Sequence, residues 1–168
     1  MSLPPYADLL GASLVPQEGD ASPVLTMPFA DDVVGRPGFL HGGAIAGLLE
    51  VAAIAALQHA LAAEGGGRIK PVNVTVDFMR GGRDKPSFAA GTVTRLGTRV
   101  ANVEARVWQD DRDNPIAAAR MNYLIEREEI KRVTPAQAGA SPFGEGPGRN
   151  RKIPAFAEMT IEIIAASA

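Results

Sequence analysis

The chain has 168 residues, enough for one domain with a full core, and no cysteines, which excludes disulfides, thiolate metal sites and cysteine nucleophiles. Its two histidines, His41 and His59, are too few for a histidine-rich metal centre, so no metal or other cofactor is expected. A net charge of −2 with no long basic run argues against nucleic acid or an anionic membrane surface as partner.

The start, MSLPPYADLLGASLVP, lacks a basic segment followed by an apolar core, so no signal peptide is expected and a cytoplasmic location is the default. Residues 5–11 predict a short helical turn. Ser13–Val15 and Val24–Phe29 predict two short strands around the turn Gln17-Glu18-Gly19-Asp20, and Asp31 to Leu40 reads as a loop broken by Gly35, Pro37 and Gly38. From Gly42 to Ala63 the run GGAIAGLLEVAAIAALQHALAA predicts one long helix, stopped at Gly65-Gly66-Gly67. Its apolar residues spread over every side of the helix, the pattern of an element wrapped by the rest of a protein. The run is long enough to suggest a membrane span, but Glu50 at its centre, Gln58, His59 and its excess of alanine over leucine argue against one.

Four strands are predicted after the helix. Val72, Val74, Val76 and Phe78 alternate with Asn73, Thr75, Asp77 and Met79, the pattern of a half-buried strand. Ser87–Leu96 is next, then a turn at Gly97-Thr98, then Arg99–Gln109 with Ala101, Val103, Ala105 and Val107 on its apolar face. Asp110–Pro115 turns the chain into a last strand, Ile116–Glu126. One long apolar helix and an antiparallel meander give an α+β domain with the sheet curled around the helix. The domain is expected over residues 1–132. Residues 133–168 form a tail rich in Pro, Gly and Ala, whose near-echoes PAQAG and PAFAE look like translated intergenic repeats and imply no catalytic group.

Glu50 is the only charged residue between Gly42 and Ala63. A carboxylate in such a helix loses water and needs partners or a function. The helix begins at His41-Gly42-Gly43, where the first amides lack internal partners and sit at the positive end of the dipole. Glycines there let a ligand approach the backbone. The arrangement suits a carbonyl oxygen gaining negative charge, as in an ester or thioester under attack, with Glu50 as general base or nucleophile. Each feature alone has a bland explanation: His41 can cap the helix, and Glu50 can be a structural acid. Their combination on one apolar helix favours function. Eight residues separate Gly42 from Glu50, about 12 Å at the helical rise, so one carbonyl cannot touch both on a single helix. Two chains meeting across a two-fold axis solve this, and a dimer with two composite sites is predicted.

With the motif GFLHGGAIAGLLEVAAIAAL, followed by VNVTVDFMRGG, GTVTRLGTRVANVEARVWQDD and PIAAARMNYL, the chain resembles the hotdog-fold thioesterases of the phenylacetic-acid-degradation type over roughly residues 12–127. The resemblance implies hydrolysis of acyl-coenzyme A thioesters by a dimer, or by a dimer of dimers. Gly42 falls where such enzymes use a backbone amide to polarise the carbonyl, with Gly43 beside it. Glu50 falls where they use an acid from the opposite subunit, and His41 where a histidine supports the site. Where members often carry Asn or Gln, six residues before the histidine, this chain has Gly35. Where they often carry a Ser or Thr that orients the acid, it has Pro71, with Asn73 two residues on as the expected substitute on the same strand face. Coenzyme A phosphates call for basic residues at the mouth, and Arg80, Arg83, Lys85, Arg95 and Arg99 lie at strand ends. The alternative reading is a non-catalytic acyl-coenzyme A binding or sensing protein. A hydratase on the same fold is disfavoured because His59 is poorly placed for it.

Overall fold

The computed structural model describes residues 3–17, 19 and 21–127. The chain divides into two units, Met1–Ile130 and Lys131–Ala168, and all described residues belong to the first. The expectations for the tail lie outside the described residues.

Helix α1 (Pro5–Leu9) is followed by strands β1 (Ser13–Leu14) and β2 (Val24–Met27), and a 3₁₀ turn at Asp31–Val33 precedes β3 (Val34–Arg36) and β4 (Phe39–Leu40). The long helix α2 (Gly42–Ala62) comes next, then β5 (Arg68–Phe78), β6 (Ser87–Leu96), β7 (Val100–Trp108) and β8 (Ala117–Glu126). The segment expected to be a plain loop therefore contains a small hairpin. Gly38, at a φ of 73°, reverses the chain between its strands, a conformation that favours glycine. The large sheet is antiparallel, in the order β1-β2-β6-β7-β8-β5.

Helix α2 is apolar on nearly every side because most of it is covered, with one stripe, Ala46, Glu50, Ile54 and Gln58, left half-buried. Leu48, Leu49, Ala52, Ala53, Ala55 and Leu57 are fully buried. By length and composition it could cross a membrane, but 67% of that apolar window is buried inside this fold. It meets the sheet closely at Gly91 on β6, where an added Cβ would lie 2.7 Å from the Ala52 carbonyl oxygen and 2.8 Å from Ala56 Cβ. Small residues on both elements let the two backbones meet. Opposite, the Tyr6 ring of α1 lies over Gly47, where a Cβ would come within 2.6 Å of it. The helix stops as expected: Gly66 N–H donates to the Leu61 carbonyl at 2.8 Å, and Gly65 and Gly66 have φ of 88° and 85°.

The sheet presents Ala101, Val103, Ala105 and Val107 of β7, and Ala117, Ala119, Met121, Tyr123 and Ile125 of β8, to the core. Strand β5 departs from the half-buried expectation. It is an edge strand, and Val72, Val74 and Phe78 are 58%, 51% and 56% exposed. The alternation is present, but α2 does not extend over this edge within the chain. Pro71, which cannot donate to a ladder, is tolerated there.

Candidate active site

The helix start is fixed from three directions. His41 N–H donates to the Val33 carbonyl at 2.8 Å, Leu40 N–H to the Gly82 carbonyl at 3.0 Å, and Phe39 bridges to Arg83. His41 is the N-cap of α2, and its Nδ1 accepts the Gly43 N–H at 2.9 Å. That leaves the ring proton on Nε2 and spends the Gly43 amide. The Gly42 N–H, by contrast, has no acceptor among the described residues. Phe78 lies beside it, with ring carbons 3.6 Å from where a Cβ would stand, forming an apolar wall next to a free amide.

Gly35 packs on His41. A Cβ at Gly35 would stand 2.9 Å from His41 Cα, so this strand has no room for the side-chain amide the resemblance leads one to expect.

Glu50 is half-buried rather than fully enclosed. It faces a cavity of about 250 Å³ lined by Pro71, Val72, Asn73, Val74, Met121 and Tyr123, opened by the bare edge at β5. Among the described residues its carboxylate accepts no hydrogen bond. The expectation that Asn73 shares a strand face with Pro71 fails. Pro71 pairs with Tyr123 and Asn73 with Asn122, its neighbour in β8, because the register shifts across Val72. Such a bulge turns the following residue to the other face. The Asn73 side chain accepts from Asn122 Nδ2 at 2.7 Å, and Asn122 in turn accepts from Asn102, giving an asparagine ladder across three strands.

The basic residues do not form one cluster within the chain. Arg80 follows the Phe78 end of β5 and donates to the Pro115 carbonyl at 2.9 Å. Arg99 lies at the other end of the sheet, where its carbonyl accepts from Ile125 N–H. Lys85 is paired with Asp110. Arg83 and an arginine not anticipated, Arg36, lie 4.0 and 3.9 Å from the centre of the Phe39 ring. Tyr123 was also missed. The available signal was a polar-tipped aromatic on the inward face of the last strand, among Ala119, Met121 and Ile125. His59, near the end of α2, is half-buried. No cluster suited to a metal ion occurs among the described residues.

The sequence profile of the thioesterase superfamily matches residues 37–116, which hold the helix start, Glu50 and the first three strands of the meander. A crystal structure from Chromobacterium violaceum is 34% identical, covering 74% of this chain and 85% of that one, with a TM-score of 0.58. A solved protein of the thioesterase superfamily is 27% identical, covering 73% and 90%, with a TM-score of 0.63. The chain belongs to the thioesterase superfamily. Its long helix against an antiparallel sheet is the hotdog fold. A Bacillus halodurans protein solved with CoA shares the fold at 18% identity, covering 73% of this thioesterase-superfamily chain and 78% of its own, with a TM-score of 0.61. No curated protein matches the sequence.

Proposed function

We propose that the protein hydrolyses acyl-coenzyme A thioesters to free acid and coenzyme A, as a thioesterase of the phenylacetic-acid-degradation type acting in the cytoplasm. The observation that carries this reading is the pairing, among the described residues, of an unspent Gly42 amide at the start of α2 with an unpartnered Glu50 carboxylate facing an open cavity on the same helix. The amide donates to the thioester carbonyl oxygen as it gains negative charge. Glu50 takes a proton from a water attacking the carbonyl carbon, or attacks that carbon itself. Collapse of the tetrahedral species breaks the carbon–sulfur bond, and the thiolate takes up a proton and leaves as coenzyme A; where Glu50 attacks directly, a water then hydrolyses the acyl–Glu50 anhydride to release the free acid. The CoA bound to the Bacillus halodurans relative supports the substrate class.

The edge strand supports a two-fold assembly. Phe78 at one end of β5 abuts Gly42, and Pro71 and Val72 near the other end line the Glu50 cavity. Antiparallel pairing of two β5 edges sets Gly42 of the partner subunit beside Glu50, and covers Val72, Val74 and Phe78. It also brings Arg80 to the same end of the joined sheet as Arg99 of the partner subunit, where both serve the coenzyme A end of the substrate. The assembly is a homodimer or a dimer of dimers. A second reading, an acyl-coenzyme A sensor without turnover, is favoured by one observation: neither Gly35 nor Pro71 offers a polar side chain at its position.

Glu50→Gln keeps the shape and removes the charge. Across a panel of aliphatic and aromatic acyl-coenzyme A substrates it is expected to lower kcat by about 10²–10⁴-fold with the fold retained. Near-native turnover in that variant sinks the mechanism. Ligand-induced stabilisation of the wild type without any hydrolysis favours the sensor.

A further inference from the structure

We infer that Tyr123 is the positioning residue for Glu50, its phenol supplying the hydrogen-bond donor that holds the carboxylate in its reactive orientation. The inference rests on the reading of Glu50 as the reacting acid. A carboxylate that acts as base or nucleophile needs a fixed orientation, because a misaimed reacting group loses much of the advantage of proximity. Glu50 stands on the wall of its cavity without a donor among the described residues. Pro71 beside it has neither a side-chain donor nor a backbone N–H, and the Asn73 amide donates no bond there while its oxygen is held by Asn122.

Among the described residues lining that cavity, only Tyr123 carries a hydroxyl. It reaches the cavity from β8, opposite Pro71 in the register, and is 1% exposed. Its O–H currently donates to Met121 Sδ at 3.2 Å. A thioether is a weak acceptor, and a carboxylate is a much stronger one. Glu50 accepts no bond from the phenol as the side chains stand, so the contact forms by rotation of the flexible Glu50 side chain toward the O–H, with the buried ring left in place. The phenol also stays a donor. Burial pushes its ionisation well above the usual tyrosine range, and the negative charge of Glu50 pushes the same way. The same charge that resists formation of a phenolate attracts the phenol proton.

Tyr123→Phe removes the hydroxyl and keeps the ring. It is expected to lower kcat by about ten- to a hundredfold, the range of a hydrogen bond to a charged group, with KM within about twofold of wild type and Tm nearly unchanged. A kcat within about twofold of wild type overturns the assignment, as does a fall in kcat/KM carried by KM, which marks Tyr123 as a wall of the acyl pocket. In the Glu50→Gln background, Tyr123→Phe is expected to cost nothing further, since there is no carboxylate left to orient. A further loss there also overturns it. If Glu50→Gln itself retains turnover, the reading beneath this one has failed. If Glu50→Gln is inactive while Tyr123→Phe is unaffected, only the role of Tyr123 has.

Discussion

Helix α2 and strand β5 are both written in apolar residues, yet the chain treats them in opposite ways. Leu48, Leu49, Ala52, Ala53 and Leu57 of the helix are fully buried, whereas Val72, Val74 and Phe78 of the strand are more than half exposed. The helix finds its cover in cis: Gly91 lets the sheet backbone reach it on one side, and Tyr6 covers Gly47 on the other. Among the described residues the strand is the last in the sheet order, with no neighbour on one side. The contrast separates what makes the fold from what completes the site. Glu50 sits between the two, on the buried helix but facing the cavity beside the bare edge.

The largest expected effect comes from breaking the helix–sheet contact. Gly91→Val places a branched side chain where even a Cβ meets the Ala52 carbonyl oxygen at 2.7 Å, and backbone cannot yield as a flexible side chain does. A loss of about 3 kcal/mol or more is expected in urea unfolding, with little soluble protein recovered. A variant as stable as wild type means that α2 and β6 do not meet as described.

Next in size is a charge on the edge. Val74→Lys puts an ammonium on a position that is 51% exposed in the single chain, so each chain is expected to stay folded while association weakens by about 10²-fold or more. Light scattering at a series of concentrations reads the dimer, and turnover is expected to fall with it. A monomer that keeps full activity removes the need for a composite site.

The smallest effect lies on the same strand. Lys70 donates to Glu126 at 2.6 Å across β5 and β8, with both side chains about half exposed (55% and 47%). The hydrogen bond from Lys70 leads the effects that hold the Glu126 carboxyl below the usual glutamate range, with the Lys70 and Arg68 charges acting in the same direction against a desolvation effect. A lowered folded value means that any stabilisation is present above the unfolded glutamate value and is lost as the pH falls through the folded one. Because solvent and salt screen an exposed pair, Lys70→Ala is expected to change Tm barely at neutral pH, and not at all once Glu126 is protonated. A clear Tm loss at neutral pH and high salt means that this edge is better shielded than the single chain shows.

Much was legible in the sequence. The helix, its glycine stop, the four-strand meander and the inward face of β7 all follow from local periodicity and turn chemistry. Gly42 and Glu50 stood out because a glycine pair at a helix start and a single charge in an apolar run are local departures from pattern. Those departures need no knowledge of what packs against them.

Only the tertiary structure decided the rest, because it depends on register and on approach between distant segments. The bulge at Val72 sends Asn73 into a ladder with Asn122 and Asn102, and no alternation rule shows which residue of a strand is the extra one. That Gly43 gives its amide to His41, and that Gly35 has room for no side chain, follow from how the 34–40 hairpin closes on the helix start. Tyr123 is only an inward position of β8 by its pattern, and the fold alone places it on the wall of the Glu50 cavity, more than seventy residues along the chain. The sequence determined which residues are chemically unusual. The fold determined which of them stand together, since a side chain's neighbours are set by pairings its own segment does not encode.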